Sequence, residues 1–294
     1  MNRRFPVARK TLRDYRGQVL AMAFVAALIG FMDILIYPQY RDALGDFKMP
    51  DCMQSMIGEG QSITSPAGFI SGEFFSWVPL LFITVAIIAG TGATAGEEAT
   101  GTMDILLAQP IDRRRLVLEK AAGIGLSVCA GMLLSLLGFY AAKPFADFPL
   151  SAWRLTETMI ATMPIVLLFG ALALWAGVTF PSRGIAAMAS IGVLVAAYFL
   201  QLMGPTLDLL RTPQKFSPFY WSDASHVLVN GFDLARFGGM LAVAAVVLVA
   251  ALWNFERRDV TAGTREWSLR SLVRRNHAEP EPSEGPARSE LRKA

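Results

Sequence analysis

Residues 95–120 read AGEEATGTMDILLAQPIDRRRLVLEK, nine ionisable side chains within 26 positions, set between two apolar runs of membrane length. The run before it covers residues 74–95 and the run after it residues 116–141. An α-helix needs about 20 apolar residues to cross the roughly 30 Å hydrocarbon core of a bilayer at 1.5 Å per residue. The flanks therefore read as two transmembrane helices, and the charged stretch as a short connection on one side of the membrane. Four more runs of this kind occupy residues 17–37, 157–180, 184–207 and 236–255. The composition agrees, since 53% of the chain is hydrophobic, 17% is charged and the mean hydropathy is +0.42, far from the balance of a soluble domain.

The runs are continuous and rich in Leu, Ala, Ile and Val, whereas a transmembrane barrel would show alternating segments of about ten residues. The expected fold class is an all-α membrane protein with six transmembrane helices. Three parts are expected: a basic amphipathic helix over residues 1–16, a six-span domain over 17–255 and a basic tail over 256–294. In the first part Phe5, Ala8, Leu12 and Tyr15 form one helical stripe among arginines, as in a helix lying in the interface near anionic headgroups. The same residues also read as a basic flank that only sets topology. In the tail, Trp267, Leu269, Leu272 and Val273 lie among arginines, and the Glu-, Pro- and Ser-rich stretch after about 276 is expected to be disordered.

Orientation follows from Lys and Arg near the span ends. With the N-terminus in the cytoplasm, 20 of the 27 Lys and Arg residues fall on cytoplasmic segments and seven on outer ones. The insert and both termini are thus expected in the cytoplasm, with the chain in the plasma membrane.

No catalytic or metal-binding pattern emerges. Cys52 and Cys129 fall at different membrane levels, His226 and His277 on opposite sides, and neither pair builds a disulfide framework or a metal site. The chain has no HExxH and no G-x-x-x-x-G-K-[ST] phosphate loop. It reads as a non-enzyme without a cofactor of its own, and nothing in it calls for nucleic acid.

Within the insert, Thr102 to Gln109 can form about two helical turns with an apolar side, stopped by Pro110. Asp112 suits the N-cap of the third span, with Ile111 and Leu116 placed as a hydrophobic staple. Arg113, Arg114 and Arg115 then occupy a first helical turn, where the macrodipole favours anions. Headgroups or an acidic protein surface would compensate. Met103, Ile105, Leu106 and Leu107, projecting from a loop with no soluble domain to cover them, favour a docked protein.

The run from Glu97 to Arg113 resembles the E-E-x-x-G-T-x-[DE]-x-L-L-x-x-P-[IV]-x-R stretch of type-2 ATP-binding-cassette (ABC) exporter permeases. Lys120 falls where that family commonly has a lysine. Weaker echoes are Phe216-Ser217-Pro218-Phe219-Tyr220 before the last span and Phe255-Glu256-Arg257-Arg258-Asp259 after it. The resemblance implies that the insert is a cytoplasmic coupling helix between spans two and three, docking on a separate ABC ATPase. Its contact residues would be Glu97, Glu98, Gly101, Thr102, Met103, Asp104, Leu106, Leu107, Pro110 and Arg113. It also implies efflux of an amphipathic or apolar substrate (drug, antibiotic or lipid-like), driven by ATP and Mg bound on two ATPase subunits, with a second permease half that is identical or paralogous. Spans one, two and five would line the pathway, and the stretch between the last two spans would form a partly re-entrant outer gate; its aromatics also read as interface anchors. Gly92 with Gly96, and Gly238 with Ala242, are small-residue pairs expected to let helices pack closely. The competing reading is an ATP-independent six-span carrier or a membrane scaffold.

Overall fold

The computed structural model describes residues 6–44, 62, 64–100 and 112–257, all within one compact unit, Met1–Val260. No strand occurs among the described residues. Six helices among the described residues are long and apolar enough to cross a membrane. They are α1 (Pro6–Leu44), α2 (Pro66–Ala99), α3 (Arg113–Ala142), α4 (Ala152–Thr179), α5 (Arg183–Met203) and α9 (Leu234–Arg257). Three short helices link α5 to α9: α6 (Asp208–Gln214), α7 (Pro218–Trp221) and α8 (Ala224–Asn230). The end of the bundle where α2 stops and α3 starts is called the insert end, and the opposite one the loop end.

α2 and α4 are the most enclosed spans, and α5 and α9 the least. Phe74, Phe82, Ile83, Met132, Phe139 and Phe169 fill the core between α2, α3 and α4. Large apolar side chains on the outside, such as Leu20, Phe24, Leu28, Met32 and Ile36 at every fourth position of α1, are the face a membrane helix turns to lipid.

α1 is 39 residues long, about 58 Å, and runs unbroken through position 16. Residues 6–16, which hold Ala8, Leu12 and Tyr15 of the N-terminal stripe, are therefore continuous with the first span in one helix. Basic and polar residues do not stop a helix, and this end of α1 packs on α3: Ala8 of the stripe and Thr11 lie against Gly123, and Val7 joins Leu116 and Val117. Above them α1 and α3 stay in close contact because α3 carries glycine at regular intervals. A Cβ on Gly131 would meet Val19, and one on Gly138 would lie 1.8 Å from the Ala27 carbonyl oxygen. Between helices in lipid, such close approach is what replaces a hydrophobic driving force.

α2 begins at Pro66, with the Ser65 hydroxyl accepting from the Gly68 amide at 3.0 Å. Two π turns interrupt it, Ser71–Phe75 and Gly92–Gly96. The expected pair Gly92 and Gly96 packs within the chain, against the Tyr15 hydroxyl and Arg183. Gly238, by contrast, faces open space, so that pair packs on nothing described.

The segment between α5 and α9 dips back into the bundle. Ser217 Oγ donates to the Ala197 carbonyl at 2.7 Å, six residues in from the end of α5, or about 9 Å deep. Phe219 meets Tyr198 edge to face and reaches Phe169 of α4. The chain then climbs through α8 to Gly231 (φ 94°), where a Cβ would strike Arg154 near the loop end of α4. The aromatics thus line a re-entrant hairpin, with Trp221 Nε1 donating to the Lys215 carbonyl to satisfy backbone that no helix covers.

Candidate functional site at the base of the insert

Glu97 and Glu98 lie on the last turn of α2, and Arg113 opens α3. Gly101, Thr102, Met103, Asp104, Leu106, Leu107 and Pro110 fall outside the described residues, as does Ile111 of the expected staple. Asp112 takes the N-cap position with extended backbone, yet its side chain makes no capping bond. What the structure describes is the pair of helix ends from which the insert springs.

Those ends are joined by a buried charge. Lys120 is 1% exposed, and its ammonium donates to Glu97 Oε2 at 2.5 Å and to the Ala93 carbonyl at 2.6 Å. The π turn explains the second bond. The Glu97 amide donates to the carbonyls of Gly92 and Thr94, skipping Ala93, whose oxygen an α-helix would have used. A backbone register shift in α2 thus presents an acceptor to a cation on α3. π turns of this kind recur at working sites. Glu97 Oε1 also receives Lys10 of α1 at 3.4 Å.

The neighbouring carboxylate works in the other direction. Glu119 is 4% exposed, and its Oε2 accepts from the amides of Val7 at 3.0 Å and Ala8 at 3.3 Å, while Oε1 accepts from Arg115 Nε at 2.9 Å. It caps the N-terminus of α1 from α3, where orphan amides and the helix dipole both favour an anion. Buried charges persist at such depth only when paired in this way. Lys120 and Glu119, adjacent in sequence, therefore fasten α3 to α2 and to α1 respectively.

The arginine run at the start of α3 is compensated within the chain. Arg114 pairs with Glu256 of α9 through both its Nε and a terminal nitrogen, and Arg115 with Glu119. Val7, Leu116, Val117, Val178 and Phe255 form an apolar cluster beneath these pairs. Sequence reasoning missed Glu119, Lys10 and the Ala93 carbonyl. The only signal was the Glu-Lys pair inside an apolar run, where an ionisable residue is a functional candidate by default.

Six spanning helices, the second and third latched by charge at the roots of a short insert, define a polytopic helical membrane protein built like a transport subunit. The chain matches the family model described as ABC-2 family transporter protein over residues 5–260, and it belongs to that family. Members are membrane subunits, in general non-catalytic and working with ATPase partners. No curated protein matches the chain.

Proposed function

We propose that the chain is the transmembrane permease subunit of an ATP-driven exporter, moving an amphipathic or apolar cargo out of the cell. The insert over residues 101–111 is the coupling helix, and a cytoplasmic ABC ATPase docks on it. Two permease halves, identical or paralogous, work with two ATPase subunits, which bind the ATP and Mg. The observation that carries this reading is the Glu97–Lys120–Ala93 junction. Because one buried ammonium holds the end of α2 and the start of α3 together, a push on the insert moves both spans as a unit, the kind of rigid-body switch that alternating access needs.

The domain organisation proposed is a six-span permease domain over 17–255, preceded by residues 1–16 and followed by a basic tail from 256. The 20-to-7 division of Lys and Arg supports placing the insert and both termini in the cytoplasm.

Replacing Leu106 with Asp places a charge in the apolar contact and is expected to cost docking several kcal/mol, on the order of the penalty for an unpaired buried charge. Membrane insertion should survive while ATPase co-purification and cargo-stimulated hydrolysis are lost. A variant that keeps the ATPase and normal coupled hydrolysis would remove the main support for the coupling role. Topology is tested separately with Gly101→Cys and Gly60→Cys in a Cys52→Ser background. An impermeant thiol reagent added to intact cells should label the Gly60 site alone, and labelling of the Gly101 site would invert the orientation.

A further inference from the structure

α3 and α9 both pack on α4 and touch each other much less. Between them lies a groove of about 520 Å³, open to the side of the bundle and lined by Ala, Gly, Leu, Ile, Val and the free Cys129. The α3 wall is the stripe Leu118, Ala122, Gly125 and Cys129, at spacings of four, three and four. One turn further down the same stripe is Arg114. The α9 wall is Leu241, Ala245 and Leu248, and two turns on lies Glu256. Gly170, Ala171 and Leu174 of α4 form the floor. Small residues keep the space open, and both helices continue past the groove to the Arg114–Glu256 ion pair at the insert end, one turn beyond Leu118 and two beyond Leu248.

Depth and chemistry select the occupant. Leu118 to Cys129 spans about 16 Å of helix, against about 15 Å for the hydrocarbon half of one leaflet. An apolar space of this size gives water no partners, and leaving it empty forfeits dispersion contacts along every wall. A hydrocarbon chain fits both the polarity and the length. One turn beyond the groove at the insert end, Arg114 is 64% exposed at its side chain, and Glu256 engages only its Nε and one terminal nitrogen. Donors are left for an oxyanion, at the first turn of a helix where the dipole also favours one.

We infer that the groove is a binding site for one phospholipid of the leaflet at the insert end, with an acyl chain between α3 and α9 and its phosphate on Arg114. The site is separate from the pathway expected between spans one, two and five, and it does not depend on the direction or nature of the cargo. The lipid chain is a spacer between α9 and the helix that starts at the insert.

The test uses the full chain in nanodiscs of equal parts phosphatidylethanolamine and phosphatidylglycerol, doped with a phospholipid that carries a diazirine midway along one acyl chain. After irradiation, adducts are mapped by peptide mass spectrometry. They should concentrate on the Leu118–Cys129 and Leu241–Leu248 segments, about tenfold over the α5 face at Met188 and Val195, which is also exposed. Ala122→Phe and Ala245→Phe fill the groove from opposite walls at exposed positions, and each should remove that enrichment while the protein stays monodisperse. Arg114→Gln should weaken the adducts without redistributing them. Even labelling of all lipid-facing helices, or enrichment that survives both phenylalanine variants, would overturn the site. Cross-linking of Cys129 between two copies of the Cys52→Ser protein would overturn it too, by making the groove a protein interface.

Discussion

Lys120→Met is expected to uncouple the insert from the bundle. Methionine keeps the length of the side chain but removes the ammonium, taking from the Ala93 carbonyl its donor and from Glu97 its shortest cationic contact. Breaking a buried ion pair by deleting one partner costs about 3–5 kcal/mol. The lower end applies here, because Glu97 is 19% exposed and Lys10 stays within 3.4 Å. Thermal unfolding in detergent should fall clearly below the parent. Combining the change with Glu97→Gln should recover part of the loss, since the carboxylate that has lost its nearest cation is then neutral, and a double-mutant cycle reads the coupling between the two residues. Additive effects of the two substitutions would mean that the junction holds nothing together.

Gly138→Ala is expected to be the most damaging single-methyl change in the described chain. The added Cβ would lie 1.8 Å from the Ala27 carbonyl oxygen, a backbone atom that cannot swing aside. α1 and α3 must separate by more than 1 Å to relieve it, opening the most extensive helix contact in the bundle. Overpacking costs of about 1–3 kcal/mol are usual where side chains can adjust, and a backbone clash belongs at the top of that range. Gly192→Ala is the matched control: nothing lies within 4 Å of that position, so helix propensity alone acts and stability should rise by up to about 1 kcal/mol. Equal melting temperatures for the two variants would show that α1 and α3 are not held at this distance.

The number of spans and the place of the insert could be read from hydropathy alone, because crossing a bilayer requires a length of apolar helix that little else imitates. Helix ends could not. α1 continues to Pro6 and Leu44 because charged and polar residues are compatible with a helix, and hydropathy reports only the lipid-facing middle. The start of α2 at Pro66 was visible as Ser65-Pro66, a capping pair outweighed by the apolar run beginning later. Gly123, Gly131 and Gly138 were equally visible, at spacings of eight and seven, yet without a known partner helix they could not be told from incidental small residues. The insert residues were legible as a motif. Their anchoring was not, because the cap that Glu119 places on α1 and the acceptor that the π turn frees for Lys120 are tertiary facts. Glu256 answers Arg114 only because α9 returns beside α3, something no local pattern announces.

The cap on α1 has a consequence for how the chain is made. The amides of Val7 and Ala8 are satisfied by a carboxylate 112 and 111 residues later in the sequence. At synthesis rates of about 5–20 residues per second, the first helix waits on the order of ten seconds before its partner leaves the ribosome. During that time its leading end is held only by water or headgroups, and it settles against the bundle when the third span arrives. α1 is thus fixed at its leading end only once the third of the six described spans has been made.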